Sequence, residues 1–272
     1  MQTIKYSGDI SLTGLFRYCR SLLSFRFVFA NRVTSLLHKR YHDSFLGVLW
    51  AAMTPLLMMT VMAFIFPLIL RFRVDDYLTY LFSGVLSWGF MSAAINGTSQ
   101  VLLNQKGMVK KIYLPKIIFP ASSIAVEAIN FSMVSLVLHI VLAAFGKNIH
   151  TNWMYMLCAM FVQALFCFGV AAIICVMATY FRDLKHILGV VMQACFYLTP
   201  IIYPVTVIPE QYLPLAELNP FYLFVRLFHQ AIYIGAAADW TMLILPTVIA
   251  LIAAILGILV QYKFDRVIMY RL

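Results

Sequence analysis

Long runs of apolar residues, almost free of charge, alternate along this chain with short polar and basic segments. A helix needs about 20 such residues to cross a hydrocarbon core of ~30 Å, and each run reaches that length, the fifth only just. The pattern therefore predicts an all-α integral membrane protein with six transmembrane helices. The predicted spans are residues 45–70, 78–103, 117–145, 153–180, 187–203 and 241–261.

The N-terminal segment is amphipathic. A helix over residues 11–31 would have one apolar face and one polar, basic face, which is typical of a helix lying in the membrane interface; a plain soluble helix is the alternative. The polar face contains Thr13, Arg17, Arg20 and Ser24. We predict one transmembrane domain over residues 1–272, with a cytoplasmic and interfacial segment at 1–43 and the six-span bundle at 44–272.

The stretch before the last span, residues 204–240, has a different pattern. Its first half cannot be a regular helix, because it holds Pro204, Pro209, Pro214 and Pro220. Its second half, 221–235, is apolar but would place Tyr222, Arg226, His229 and Tyr233 along one face. We predict a re-entrant or surface-lying helical element on the outer side, between spans 5 and 6 and buried against protein or water.

Charge fixes the predicted orientation. Of the 20 basic residues, only Arg71, Arg73, Lys147 and Arg226 fall in the predicted outer segments, so both termini are expected in the cytoplasm. Hydrophobic residues make up 63% and charged residues 11% of the chain, which excludes an ordinary soluble domain. The net charge of +10 is better explained by basic loops facing anionic lipid than by nucleic-acid binding.

Common catalytic and metal motifs do not fit the sequence. It contains no G-x-x-x-x-G-K-[ST] motif, so we do not expect this chain to bind ATP through a P-loop. His38 and His42 have the spacing of a zinc pair, but basic residues fill the gap and no glutamate follows His38. The five cysteines match no ligand spacing, so no metal site is predicted.

Glu127 is the only acidic residue well inside a predicted span. Such a carboxylate is costly in a membrane and is a functional candidate by default. A structural or conformational role, with Asn130 nearby, is favoured here. A proton relay would need a titratable partner, and His139 on the same span is the only one visible.

Four further features indicate transport with a partner. The loop 104–116 is basic and apolar and is long enough for a short helix; its apolar residues Met108, Val109, Ile112 and Tyr113 are expected to be exposed and to need a covering surface. Arg182 and Asp183 form an adjacent pair in the inner loop before the fifth span. The chain has 22 Phe, 15 Tyr and 4 Trp, and aromatic faces pack well on sugars. The basic N-terminal face could hold a phosphate or simply anionic lipid.

Ordered short motifs run through nearly the whole chain. They are Lys39-Arg40-Tyr41-His42-Asp43-Ser44-Phe45-Leu46-Gly47-Val48-Leu49-Trp50-Ala51 with Pro55, Ser83-Gly84, Trp88, Lys110-Lys111-Ile112-Tyr113-Leu114-Pro115, Phe119-Pro120, Arg182-Asp183-Leu184, Thr199-Pro200-Ile201-Ile202-Tyr203, Ile208-Pro209-Glu210, Leu218-Asn219-Pro220 and Arg226. Together they resemble type-2 ABC exporter permeases, which carry O-antigen, capsular polysaccharide or teichoic acid. One departure is Leu227-Phe228-His229, where the family would have an acidic or small residue after Arg226.

This resemblance implies a homodimer in the bacterial inner membrane, paired with two copies of a separate ABC ATPase that binds ATP and Mg. The chain itself would be a transport subunit, with no catalytic residue and no cofactor. Its substrate would be a glycan on undecaprenyl pyrophosphate, with O-antigen favoured.

The resemblance also implies roles for particular residues. The ATPase-coupling loop would comprise Lys106, Gly107, Met108, Val109, Lys110, Lys111, Ile112 and Tyr113. Candidates for the substrate head group and the membrane interface are Arg17, Arg20, Arg26, Arg32, Lys39 and Arg40. Channel or gate candidates are Trp50, Trp88, Glu127, Tyr197, Tyr203, Tyr222 and Arg226.

Three other classes are consistent with parts of the sequence. An exporter of another lipid or a small molecule would have the same fold. An ion-coupled secondary transporter would use Glu127 and His139. A membrane-embedded transferase would need an acidic site, for which Asp75-Asp76 is the only acidic pair.

Overall fold

The computed structural model describes residue 18 and residues 24–42, 48–70, 76–111, 114–144, 151–265 and 267–271. Within these ranges the chain forms helices joined by turns, and no β-strand is present. The α-helices are α1 (Arg26–Tyr41), α2 (Val48–Leu70), α3 (Tyr77–Thr98), α4 (Lys106–Lys111), α5 (Ile118–Ala144), α6 (Trp153–Tyr180), α7 (Leu184–Leu198), α8 (Leu213–Leu218), α9 (Pro220–Phe228), α10 (Ile244–Phe264) and α11 (Val267–Arg271).

Among the residues that the structure describes, four helical segments are long and apolar enough to cross a membrane. They are α3, α5, α6 and Trp240–Phe264, which contains α10. Helix α2 has 23 residues, whereas α7 has 15 and is only about 22 Å long. The chain is therefore a helical membrane protein, and these four segments have the length and composition of membrane spans.

Two predicted helix ends differ from the observed ones for local reasons. The fifth apolar run was expected to be helical to residue 203, but α7 ends at Leu198 because Thr199 is extended and precedes Pro200. The second run was expected to extend to residue 103, but α3 ends at Thr98, and turns lead to a 3₁₀ turn at Leu103–Gln105.

The first helix that the structure describes only partly overlaps the predicted amphipathic helix, of which residues 11–17 and 19–23 lie outside the described residues. The sequence pattern favoured a helix over residues 11–31, whereas α1 covers Arg26–Tyr41. It has no acidic residue in its first turn, three basic residues in its last turn and no fully buried side chain. Arg17 and Arg20 lie outside the described residues.

Helix α3 lies at the centre of the bundle, with α2, α5, α6 and α9 packed around it. Its small residues allow close approach: Ser83 and Ser87 are fully buried. The amide nitrogen of Gln163 on α6 donates to both the main-chain oxygen (3.1 Å) and the hydroxyl (2.9 Å) of Ser87. This polar link joins α3 to α6 inside an apolar core.

Helices α6 and α10 form the closest pair in the bundle. A Cβ at Gly257 would lie 2.6 Å from the carbonyl oxygen of Gly169, so the two backbones are almost in contact. The Gln261 amide also donates to the Ala172 carbonyl oxygen, at 2.9 Å. Small residues at both surfaces permit this packing, as in many membrane helix pairs.

The segment between α7 and α10 first runs irregularly and then enters the protein interior. Residues Val205–Val207 and Glu210–Tyr212 form 3₁₀ turns, as the prolines led us to expect of this half. Asn219 then caps α9 by accepting the Phe221 N–H at 3.0 Å. Phe224 and Phe228 on α9 are fully buried, and their rings meet Phe166 of α6 and Phe131 of α5. This element is buried against protein.

Candidate functional site

A cavity of about 520 Å³ lies between α2, α3, α5 and α7. Five aromatic residues contribute to its walls, together with aliphatic and a few polar side chains. Trp88 of α3 meets Phe196 of α7 at a centroid distance of 5.7 Å, and Phe90 of α3 meets Phe131 of α5 at 5.7 Å. The first pair is tilted and the second is edge-to-face, and such aromatic contacts add to the packing of α3 against α7 and α5.

The polar groups of the cavity gather at one end, where α1 packs against α5. Arg40 Nη1 donates to Glu127 Oε1 at 2.7 Å, and the Tyr41 hydroxyl donates to Asn130 Oδ1 at 2.8 Å. Arg40, Glu127 and Asn130 all line the cavity. Burial raises the pKa of Tyr41 above its ordinary value, which keeps this phenol protonated and able to donate.

A third link fixes the first half of α1, near its middle. Arg32 Nε donates to Ser122 Oγ at 2.8 Å, and the guanidinium lies over the Phe119 ring at 4.3 Å. Burial lowers the pKa of Arg32 from its ordinary value, but an arginine side chain remains protonated. The basic residue that was a candidate for head-group binding is therefore also a structural anchor.

A second, smaller core lies at the opposite end of α5 from the outer segment. Val109 of α4 is 2% exposed and packs with Leu102, Phe119 and Ile268. Next to this core, Asp265 accepts the main-chain N–H of Lys116 at 2.8 Å and forms a buried ion pair with its ammonium at 3.4 Å. Tyr18 also donates to Asp265, at 3.3 Å. The loop after α3 is thus tied to the end of α10.

A family model described as ABC-2 type transporter matches residues 27–233, well over half of the chain. The chain belongs to the ABC-2 type transporter family. This match confirms the resemblance to type-2 ABC permeases that the sequence motifs carried.

Named relatives of this ABC-2 transporter are known from two bacteria. An "O-antigen export system permease protein RfbA" of Klebsiella pneumoniae is 31% identical over 183 residues, covering 66% of this chain and 70% of the relative. A protein of the same name from Myxococcus xanthus is 28% identical over 200 residues, covering 72% of this chain and 76% of the relative.

The structure brings three of the seven channel candidates to the cavity of this transporter. Trp88, Glu127 and Tyr197 line it. Trp50 lies one turn before the lining residue Thr54 on α2 and is 49% exposed. The other three lie on the outer segment between α7 and α10.

These three outer candidates, Tyr203, Tyr222 and Arg226, lie apart from the cavity lining. The Tyr203 hydroxyl donates to the Tyr197 main-chain oxygen at 3.0 Å. Tyr222 is buried and Arg226 is half-buried on α9. All three residues belong to the segment between α7 and α10, and none of them lines the cavity.

Several lining residues had not been singled out, among them Phe90, Phe131, Gln193 and Phe196. Helical spacing was the one available signal: Glu127, Asn130, Phe131 and Val134 share a face of α5. Helical spacing alone does not tell which face of α5 borders the cavity, so these residues could not be selected from the sequence.

The coupling-loop prediction needs one correction. The loop does contain a short helix, α4, and Gly107 on it is exposed. Val109, however, was expected to be exposed and is buried in this chain's own core. The side chains of Met108, Lys110 and Lys111, and residues Ile112 and Tyr113, lie outside the described part of the structure.

Other predicted residues lie at the surface. Arg26, Lys39, Arg182 and Asp183 are all exposed, and the last two directly precede α7. His38 and His42 are also exposed, with ring centroids 6.4 Å apart. Among the residues that the structure describes, no group of three or more His, Cys, Asp or Glu could hold a metal ion.

The departure from the family motif after Arg226 has a packing explanation. Leu227, Phe228 and His229 are all buried. His229 Nδ1 lies 2.6 Å from Ser83 Oγ, and its ring stacks on Tyr80 at 4.2 Å. These residues attach the outer segment to α3.

Glu127 and His139 have different partners and do not form a pair. His139 lies about three turns further along α5, where its ring contacts the Ser135 carbonyl oxygen at 2.7 Å and the Thr151 hydroxyl at 3.1 Å. The described contacts therefore contain no direct proton path between the two residues.

Proposed function

We propose that this chain is the permease subunit of an ATP-driven exporter that moves lipid-linked polysaccharide, O-antigen foremost, out across the bacterial inner membrane. The aromatic-walled cavity is the observation that carries the proposal. A glycan offers apolar ring faces and many hydroxyl groups, and the cavity offers aromatic faces beside Glu127, Asn130 and Gln193. The names of the bacterial relatives support the choice of O-antigen.

In this proposal the chain crosses the membrane six times, with both termini in the cytoplasm. Helices α2 and α7 supply the two crossings beyond the four long apolar segments. Helix α7 is short, and the following residues 199–203 complete its crossing. The outer segment 204–235 re-enters from the far side, and its second half, 221–235, is largely buried between α3, α5 and α6, where its backbone does not meet lipid.

We further propose a homodimer, in which two copies close the path. The lining residues Met58 of α2 and Tyr197 of α7 are 56% and 60% exposed, so the cavity is open between these helices. Gln193 of α7 is also exposed, and an exposed amide is costly against lipid tails. A second copy facing α2 and α7 would cover these groups and leave a polar path between the protomers.

The energy source in this proposal is a separate ABC ATPase, present in two copies, which binds ATP and Mg and docks on the loop around α4. The sequence has no P-loop of its own. The buried Val109 side chain anchors α4 to the core of this chain. A movement of the docked ATPase can therefore be transmitted through α4 to the bundle without unfolding α4.

Gly107 offers a direct test of ATPase docking. A Cβ there would meet no heavy atom within 4 Å, so Gly107→Trp adds bulk outward without an internal clash. We expect G107W to reduce ATPase co-purification about 30-fold, which corresponds to about 2 kcal/mol at an interface centre. Gly107→Ala is the matched control and should retain the ATPase. Equal recovery of the ATPase with both variants would show that it docks elsewhere.

A strain lacking the gene tests the transport function itself. We expect the lipid-linked polysaccharide to accumulate in the cytoplasmic leaflet and to disappear from the cell surface, because the outward step is blocked. Surface glycan is measured by gel staining and the intracellular pool by lipid extraction. Complementation with the intact gene is the control, and normal surface glycan in the deletion strain would exclude this function.

A further inference from the structure

Helix α1 is held on α5 by links of unequal strength. In its first half, Arg32 is half-buried over Phe119 and bonded to the buried Ser122 hydroxyl. Near its end, Arg40 and Tyr41 bond to Glu127 and Asn130 at the end of the cavity. Residue numbers rise together on both helices along this contact, so α1 and α5 run in the same direction there.

The ion pair of Arg40 with Glu127 is incomplete on the carboxylate side. Only Oε1 accepts the guanidinium, and Glu127 Oε2 is buried with no hydrogen-bond partner. A carboxylate and an arginine can form two parallel bonds, but the arrangement here is monodentate. The Arg40 side chain is 38% exposed, so its other N–H groups are open to a ligand.

The charge around Arg40 favours an anion. The last turn of α1 carries His38, Lys39 and Arg40, all of them exposed, and α1 contains no acidic residue. Among the residues that the structure describes, Glu127 is the acidic group paired with this end of α1, and it comes from another helix. The Arg40 side chain is the more exposed partner of the pair, at 38% against 15% for Glu127, so a multivalent anion can reach the guanidinium.

We propose that Arg40 is an anion-binding residue that Glu127 occupies when no lipid is bound. A lipid-borne phosphate displaces Glu127 from Arg40 and releases the end of α1 from α5. A phosphate offers Arg40 the bidentate partner that Glu127 does not provide. Arg32 and Phe119 keep the first half of α1 attached, so only the end beside the cavity moves. The cavity then opens towards the cytoplasmic leaflet when a phosphate is present. This inference rests on the proposed function for the identity of the lipid.

Binding of undecaprenyl diphosphate to the purified full-length permease in phosphatidylcholine nanodiscs tests the exchange. We expect Glu127→Gln to bind the diphosphate about tenfold more tightly than the wild type, because the competing carboxylate is gone. Arg40→Gln should bind at least tenfold more weakly. The double variant should match Arg40→Gln, since Glu127 acts only through Arg40, and this non-additivity separates competition from general loosening.

Tyr41→Phe is the matched control for loosening. It removes another bond between α1 and α5 without a change in charge, and should leave the affinity unchanged. If Tyr41→Phe tightened binding as much as Glu127→Gln, release of α1 alone would be responsible and the competition would be refuted. Unchanged or weaker binding by Glu127→Gln would refute it as well. Glu127→Ala repeats the test with a smaller side chain.

Two further arms identify the source of the phosphate. Undecaprenol, which lacks phosphate, should show no dependence on residue 127; equal enhancement with this alcohol would overturn the proposal. If nanodiscs with phosphatidylglycerol suppress diphosphate binding in the wild type and more strongly in Glu127→Gln, membrane lipid also occupies the site. No glycan and no ATPase enter this assay. The binding assay can therefore fail while the surface glycan still depends on the gene. Likewise, the binding result can stand while the deletion strain shows normal surface glycan.

Discussion

Placing a side chain at Gly169 is expected to prevent stable folding of the bundle. A Cβ there would overlap the main-chain carbonyl group of Ala253 on α10, and neither backbone can yield without separating α6 from α10. Overpacking of side chains costs about 1–3 kcal/mol, and a clash with backbone costs more. We expect Gly169→Ala to destabilise the protein by more than about 3 kcal/mol.

The measurement is the temperature at which the detergent-solubilised protein loses its monodisperse gel-filtration peak. Gly97→Ala is the matched control, because Gly97 also lies in an apolar helix, α3, but a Cβ there would meet no heavy atom within 4 Å. This control should be neutral or slightly stabilising, by up to about 1 kcal/mol. Equal midpoints for the two variants would contradict the close packing of α6 with α10.

The buried ion pair of Lys116 with Asp265 gives the second large effect. Their side chains are 1% and 6% exposed, and Asp265 also accepts the Lys116 main-chain N–H. Removing one partner of a buried pair typically costs about 3–5 kcal/mol, because a charge then remains inside without its counter-charge. We expect Asp265→Ala to lower stability by this amount and to detach the loop around α4 from the end of α10.

A double-mutant cycle separates the ion pair from simple loss of packing. Lys116→Met combined with Asp265→Asn leaves this pair without charge and should be less destabilised than the sum of the two single changes, with a coupling energy of about 1–3 kcal/mol. Limited proteolysis of the loop should follow the same order. Strictly additive effects would mean that the pair contributes through packing alone. By contrast, Glu127→Gln should change stability by less than about 1 kcal/mol, because the Arg40 pair is partly exposed.

The helices themselves could be predicted well from the sequence. The apolar runs at 117–145 and 153–180 correspond closely to α5 and α6, because a membrane-crossing helix needs a continuous stretch of local apolar residues. The irregular course of Val205–Val207 and Glu210–Tyr212 followed from the prolines for a similarly local reason, whereas the end of α7 before Pro200 was missed. The predicted N-terminal helix over residues 11–31 lies mostly outside the described residues and stays a prediction.

The candidate site could be predicted only in part. Trp88, Glu127 and Tyr197 stood out by residue type, and all three line the cavity. Phe90 and Phe131 did not, because aromatic residues are frequent in every span and only the cavity distinguishes them. Val109 was predicted to be exposed to a partner, but it is buried in a core of this chain.

By itself, then, the sequence determined that this chain is a helical membrane protein, where most of its apolar helices lie and which family its motifs resemble. Only the tertiary structure decided that Arg40 pairs with Glu127, that Lys116 pairs with Asp265 and that α9 lies inside the bundle. The reason is physical. Hydrophobic length is a property of consecutive residues, whereas an ion pair between residues 87 or 149 positions apart depends on which helix faces meet.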